Sequence, residues 1–226
     1  MLHLPFPASL KNKLIVSVQA PPGDPLDNID TLKRIAVAVM LGGACGLRAD
    51  GVEAVAAFRA ETTQPIFGIQ KRKIDQTLSI TPDFASALAI AKAGADVIAL
   101  DCTVARHPVA EPWPGLITRI HGGLGKPVLA DIATVDEALA AEDCGADAVA
   151  TTLYGFTPQT NGARSVNWKM VATLVKKLSV PLIVEGHIVQ PEEVCRALSL
   201  GAFSVVVGSA ITRPEAITAR FVGAIR

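Results

Sequence analysis

The sequence predicts a (β/α)8 TIM barrel, and three observations carry that expectation. Short apolar runs alternate with amphipathic stretches from one end of the chain to the other, in eight strand-and-helix pairs, which is the pattern of parallel βα units. The 226 residues come close to the ~250 typical of such a barrel. The entrances to the strands also repeat. Even-numbered strands follow a helix ending in Gly-Ala (Gly43-Ala44, Gly94-Ala95, Gly145-Ala146, Gly201-Ala202), and three odd-numbered ones open on proline (Pro65, Pro127, Pro181). A unit of two βα modules, roughly fifty residues long and present about four times, suits a closed ring. An open doubly wound sheet gives no reason for that period and would carry a G-x-G-x-x-G turn after its first strand, which this chain lacks.

Taken in order, the strands are read at KLIVSVQ, ACGLRA, PIFGIQK, DVIALD, PVLADI, DAVATTL, PLIVEGHI and SVVVGSA. Each is a strand-length apolar run bounded by turn-forming or polar residues. The third is expected to extend as far as Lys71. Helical patterns stand between and after them, among them PDFASALAIAKAG, TVDEALAAEDCG, NWKMVATLVKKL and PEEVCRALSLG. Pro82 and Pro191 are read one residue inside their helices, where a missing N–H is of no consequence. Gly94, Gly145 and Gly201 are read as the C′ residues that end helices. The final helix, Pro214 to Arg226, carries an apolar face of Ile217, Phe221, Val222 and Ile225 that could close the barrel. Residues 1–226 are thus expected to form one barrel domain.

Composition excludes several classes of protein. Lys and Arg number 21, as do Asp and Glu, so no general attraction to nucleic acid or to an anionic membrane is expected. The longest apolar runs fall far short of the ~20 residues of a membrane span, and Met1 to Lys13 has no secretory pattern. Cys45, Cys102, Cys144 and Cys195 are scattered and form no Cys-x-x-Cys pair, which fits a cytoplasmic protein with reduced, mostly buried thiols. The four histidines are dispersed too, so no metal-binding cluster is visible.

Strand residues in a barrel alternate between interior and exterior, and active sites lie at the C-terminal strand ends. Counting from each opening proline, Asp131 and Glu185 lie four positions on and Lys71 six, so all three share the interior face. Asp101, Thr152 and Gly208 lie seven positions after the repeated glycine, and Arg48 lies five after its own, again with one parity. With Gln19 and Ser17 of the first strand, these residues are expected to meet at one mouth. A charged residue near a strand end often only meets solvent, and Lys71 with Glu185 would also make a closed structural ion pair. The gathering of opposite charges on the catalytic face nevertheless points to function.

The loops after strands 7 and 8 add a second clue. Barrels commonly bind phosphate there, through backbone N–H groups at the start of a short helix. The segments are EGHI (Glu185 to Ile188) and VVGSAITRP (Val206 to Pro214). Gly186 and Gly208 permit close backbone approach, and Ser209 is expected to cap the helix that follows.

Along nearly its whole length the chain resembles the N-acetylmannosamine-6-phosphate 2-epimerases of bacterial sialic acid catabolism. The resemblance rests on GLRADGV (Gly46 to Val52), PIFGIQKRK (Pro65 to Lys73), ITPDF (Ile80 to Phe84) and AGADVIALDCT (Ala93 to Thr103), and continues through LADIATVDEA, GADAVATTLYGFT, VEGHI and VVVGSAITRP. It implies inversion at C2 of N-acetylmannosamine 6-phosphate without a cofactor, and a homodimer involving the C-terminal helix. By the same resemblance, Lys71 corresponds to the catalytic lysine and Glu185 to the catalytic carboxylate. Gln19, Arg48 and Asp131 match sugar-holding positions, and Gly208 and Ser209 match the phosphate loop. Three places depart from the family pattern. His187 stands where Arg or Lys is usual, so a cationic contact is lost, moved to Arg213 or Arg164, or made only by a protonated histidine. Lys73-Ile74-Asp75-Gln76 replaces an acidic or aromatic segment, and Tyr154 alters the TLSGY loop.

Inverting a carbon in this way requires removing its proton from one face and returning one to the other. The C2 proton becomes acidic once the ring opens and leaves an aldehyde beside it, so the site must stabilise an enolate and hold proton carriers near C2. Lys71 and Glu185 suit that task in either order, and a substrate hydroxyl could also relay the proton. Two other enzymatic readings stay open: a Schiff-base aldolase using Lys71, or another phosphosugar isomerase on the same barrel. A third reading, of a different class, is a barrel that binds a phosphosugar without turning it over.

Overall fold

The computed structural model describes residues 3–75 and 77–225. In chain order the strands are β1 (Leu14–Val18), β2 (Gly46–Asp50), β3 (Ile66–Ile69), β4 (Lys71–Ile74), β5 (Thr77–Ile80), β6 (Val97–Asp101), β7 (Val128–Asp131), β8 (Ala148–Ala150), β9 (Leu182–Glu185) and β10 (Ser204–Val207). Eight of them close a barrel in the order β1-β10-β9-β8-β7-β6-β3-β2, and β4 with β5 forms a separate two-stranded sheet. Every pairing within the barrel is parallel. The helices are α1 (Ile29–Leu41), α2 (Val52–Arg59), α3 (Phe84–Lys92), α4 (Trp113–Leu124), α5 (Val135–Asp143), α6 (Trp168–Lys177), α7 (Pro191–Ser199), the short α8 (Ser209–Thr212) and α9 (Pro214–Gly223). Among the described residues, no helix is long and apolar enough to cross a membrane.

Strand alternation sorts the buried residues into two layers. Ile15, Phe67, Val97, Ala99, Leu129, Ala148, Ala150, Ile183 and Val206 form the barrel interior. Their neighbours of the other parity, such as Val16, Leu47, Ile98, Val149 and Val205, pack outward with the helices. The lower end is plugged by the N-terminal segment, where Leu10 is fully buried in the interior cluster. Phe6 adds ring contacts to Phe67 at 5.8 Å and to Phe203 at 5.9 Å. Burying each such side chain contributes about 1.5–3 kcal/mol. Gly68 of β3 faces outward, where a Cβ would stand 2.7 Å from the Cβ of Ala95. Its lack of a side chain lets β3 lie against the end of α3.

The eight expected barrel strands and the alternating helices are all present. Gly94, Gly145 and Gly201 have φ of 112°, 97° and 103°, the left-handed conformation that glycine adopts without strain after a helix. Pro191 opens α7, but Pro82 lies outside its helix. Asp83 is the N-cap of α3, accepting from Ser86 N. Thr81 instead turns inward with φ 47°, its hydroxyl donating 2.6 Å to the Ala99 carbonyl. Two further expectations are corrected. No residue of α9 is buried and Phe221 is 73% exposed, so its apolar face does not close the barrel. Of the four thiols, Cys102 alone is buried, while Cys195 is exposed.

Candidate active site

Arg48 sits in the middle of β2 with its guanidinium inside the barrel, 1% exposed. Its Nη1 donates 3.0 Å to Asp131 Oδ1 and 2.7 Å to Glu185 Oε2, and its Nη2 donates to Asp131 Oδ2. The Thr152 hydroxyl lies 2.6 Å from Asp131 Oδ1 and 3.1 Å from Glu185 Oε2. Buried charges persist only when paired and hydrogen-bonded, and this cluster meets both conditions. Burial alone would lower the Arg48 pKa, but the Asp131 and Glu185 carboxylates outweigh it and hold the guanidinium charged. Burial raises the Glu185 pKa above the usual glutamate value. Arg48, the Thr152 hydroxyl and Lys71 oppose the rise, and Asp131 adds to it.

Lys71 is carried differently. The barrel strand stops at Ile69, and Lys71 opens the β4–β5 hairpin that stands above the mouth. The step outward is fixed by Thr81 N donating 2.8 Å to the Gln70 carbonyl and by Lys71 N donating 2.9 Å to Asp50 Oδ1. The ammonium lies 2.5 Å from Gln19 Oε1 and 3.6 Å from Asp50 Oδ2. Gln19 in turn donates 2.8 Å from Nε2 to Ser17 Oγ, which orients its amide oxygen at the lysine. The antiparallel register pairs Lys71 with Ile80 and Lys73 with Leu78, and all four line the cavity. Arg72 points away and binds Asp83 at 2.8 Å. Lys73 therefore shares the face of Lys71, and Arg72 alone is the outward cation.

Both charge carriers face one cavity of about 1080 Å³. Going round the barrel, β3, β2, β1, β10 and β9 follow one another, so Lys71 rises from the wall opposite Glu185. The closed Lys71–Glu185 ion pair of the purely structural alternative is not formed: Glu185 pairs with Arg48, and Lys71 with Asp50. Gln19, Arg48, Thr152, Gly186, His187, Gly208 and Ser209 line the same cavity. Asp131 is fully buried beneath it, behind Arg48. Asp101 shares the inward parity, yet its carboxylate is taken up by the Thr103 N–H and hydroxyl at 2.8 and 2.7 Å, and it does not reach the cavity.

At the rim, Gly186 has φ 94° and His187 φ 60°. His187 Nε2 donates 2.8 Å to the Tyr154 carbonyl, and its ring stacks on Phe156 at 5.4 Å with 6° between planes. The two departures at His187 and in the Tyr154 loop are thus one structural unit. Gly208 is the N-cap of α8 and Ser209 its first residue, without a side-chain cap, so the expected capping role of Ser209 is not observed. Arg213, just past α8, lines the cavity and pairs with Asp24 at 2.6 Å. Arg164 is exposed and, among the described residues, bonds only the neighbouring Ala163 carbonyl. Asp50 was not foreseen, although it stands two residues after Arg48 with the same parity. Among the described residues, no three His, Cys, Asp or Glu side chains are grouped to hold a metal.

A closed (β/α)8 barrel with a lysine and a mostly buried glutamate on opposite walls of its C-terminal mouth is the layout of an enzyme. The comparisons specify which enzymes it is built like. A profile of the NanE family, N-acetylmannosamine-6-phosphate epimerase, matches residues 32–226, and the chain belongs to that family. A Clostridium perfringens strain 13 protein assigned as an N-acetylmannosamine-6-phosphate 2-epimerase is 42% identical over 213 residues, covering 94% of this chain and 96% of the relative. One from Thermosynechococcus vestitus with the same assignment is 42% identical over 218 residues, covering 96% and 95%. The solved structure of the Clostridium perfringens N-acetylmannosamine-6-phosphate 2-epimerase aligns with TM-score 0.91 at 40% identity, covering 96% of this chain and 94% of that one. A thiamine phosphate pyrophosphorylase from Pyrococcus furiosus, 20% identical with TM-score 0.62, shares the fold alone.

Proposed function

We infer that this chain, as one barrel domain over residues 1–226, interconverts N-acetylmannosamine 6-phosphate and N-acetylglucosamine 6-phosphate by proton transfer at C2. One observation carries the assignment of roles. Lys71 and Glu185 line one cavity from opposite walls without bonding each other, which leaves room for a carbon atom between an acid and a base. With the sugar ring open, one group removes the C2 proton as the other delivers a proton to the opposite face. The negative charge passing onto the former aldehyde oxygen is met by the cations at that level, Lys71 and Arg48, in a site already arranged to receive it. Gln19 and Thr152 orient the sugar, Asp131 acts by holding Arg48, and His187 with Phe156 forms the rim wall.

The phosphate is assigned to the Gly186 and Gly208–Ser209 backbone. Arg213 supplies the cation there, since it lines the cavity and Arg164 does not. The enzyme is cofactor-free and cytoplasmic in this reading, acting in amino-sugar catabolism. It pairs as a homodimer through the exposed Phe221 and Ile225 of the C-terminal helix region, an arrangement that light scattering at micromolar concentration tests directly. For the reaction itself, the protein in D2O is expected to place deuterium at C2 of N-acetylmannosamine 6-phosphate and to form the gluco epimer. Folded protein that does neither overturns the assignment. Borohydride trapping of an adduct on Lys71 would instead favour the aldolase chemistry.

A further inference from the structure

Asp50 is the last residue of β2, and its register partner is Ile69, the last residue of β3. One residue beyond, the main-chain pairing continues with Gly51 N donating 2.9 Å to the Ile69 carbonyl. Where the chain then turns outward into the hairpin, the Asp50 side chain takes over as acceptor. Its Oδ1 receives the Lys71 backbone N–H at 2.9 Å, and its Oδ2 lies 3.6 Å from Lys71 Nζ. One carboxylate thus holds both ends of the same lysine. It is a quarter exposed, against a third for Lys71, so the pair stands at the wet edge of the cavity rather than beneath it.

The other ionisable groups around this space do not replace it. Arg48 of β2, Lys73 of β4, and Arg213 and Arg220 from the turn before α9 and from α9 itself line the cavity as cations. The Glu185 carboxylate on the far wall is bonded to Arg48 and Thr152, and the His187 ring N–H is directed to the Tyr154 carbonyl. Among the described residues, Asp50 is the carboxylate within ion-pair distance of Lys71. The second short contact of the ammonium, Gln19 Oε1, is a neutral acceptor.

We propose that Asp50 is a positioning residue for Lys71, fixing where the hairpin leaves the barrel and holding the lysine side chain at its place on the cavity wall. The kinetic side of this proposal rests on the epimerase reading above. Lys71 then meets the open-chain sugar as an ammonium and Glu185 meets it as a carboxylate. In that direction Glu185 takes the C2 proton and Lys71 gives one to the opposite face, leaving a neutral amine and a carboxylic acid. Exchange with solvent restores the starting charges. In the reverse direction each group does the converse, starting from the form with the proton on Glu185.

The test compares the wild-type protein with Asp50→Asn, which keeps an acceptor for the Lys71 N–H but removes the charge. Hydrogen–deuterium exchange of the β4–β5 hairpin peptide is expected to stay near the wild-type level in Asp50→Asn and to rise several-fold in Asp50→Ala, which loses the acceptor of the Lys71 N–H as well. The kcat for C2 exchange should fall in Asp50→Asn with KM little changed, and should fall further in Asp50→Ala. If Asp50→Asn proves poorly folded by circular dichroism, Asp50→Ser offers an uncharged acceptor with the same expectation. Wild-type protection of the hairpin in folded Asp50→Ala overturns the proposal. Because amide exchange needs no substrate, it stands even where the wild-type protein fails to exchange C2, an outcome that would sink the epimerase reading alone.

Discussion

Glu185 and Lys71 face the same cavity, but the structure holds them by different means. Glu185 ends a barrel strand, is 11% exposed, and shares a buried guanidinium with Asp131 and a hydroxyl with the same partner. Lys71 begins a hairpin outside the barrel, is 32% exposed, and is held by one amide oxygen and one carboxylate. The first arrangement is built into the core, so disturbing it disturbs the fold. The second is attached to the fold, so disturbing it should leave the barrel intact. A site divided in this way keeps one group in fixed geometry and lets solvent reach the other, which an enzyme that must exchange protons between turnovers requires.

The sharpest way to break that contrast is Arg48→Ala. It leaves Asp131 and Glu185 buried without their cation, and removing one partner of a buried ion pair costs roughly 3–5 kcal/mol. We expect a large fall in the urea midpoint together with loss of C2 exchange. Lys71→Ala should do only the second of these, lowering exchange by about 10²–10⁴-fold while changing stability by no more than about 0.5 kcal/mol. If Arg48→Ala unfolds at the wild-type midpoint, the buried cluster is not a structural unit. If Lys71→Ala is strongly destabilised, the hairpin is not the independent attachment that its contacts indicate.

The same contrast explains what could be read from the sequence. Arg48, Asp131 and Glu185 were found by parity, because each sits on a regular barrel strand where alternate residues must face the same way, and Thr152, two residues past the end of β8, keeps that parity. Parity also brought Lys71 to the mouth, but by a route the structure does not follow. The strand ends at Ile69, and a kink at Gln70, tied to Thr81, begins a new strand with its own alternation. The β5 half, Thr77–Ile80, is too short and polar at its start to stand out from a loop, so the hairpin went unseen. Asp50 and Arg213 depend on which chain segments come together in space. No count along a single segment shows that the Asp50 carboxylate would receive a backbone N–H from a residue twenty-one positions away.

A smaller effect separates the two carriers by pH. The folded protein raises the Glu185 pKa, mainly through burial and against the pull of Arg48. Stability associated with the protonated form is therefore fully present below the ordinary glutamate value and is lost as pH rises through the higher folded value. Glu185→Gln has no such titration. Urea unfolding from about pH 4 to about pH 8 should show the variant gaining on the wild type across that window and then running parallel to it. The variant should be inactive throughout. A stability difference that does not change with pH would mean that burial does not govern the charge of Glu185.

The least effect is expected at Arg72, and its smallness is informative. Arg72 adjoins Lys71 in sequence, but the hairpin alternation turns it to the other face, where it pairs with Asp83 and is more than half exposed. Exposed ion pairs of this kind are worth about 0–1 kcal/mol. Arg72→Ala should therefore lower the urea midpoint only slightly and leave C2 exchange and KM as they are. Asp83 keeps its second task, accepting from Ser86 N at the start of α3, so the helix cap survives the change. A marked loss of exchange in Arg72→Ala would show that the hairpin twists enough in solution to bring its outer face to the substrate. The division of the cation run into inner lysines and an outer arginine would then have to be given up.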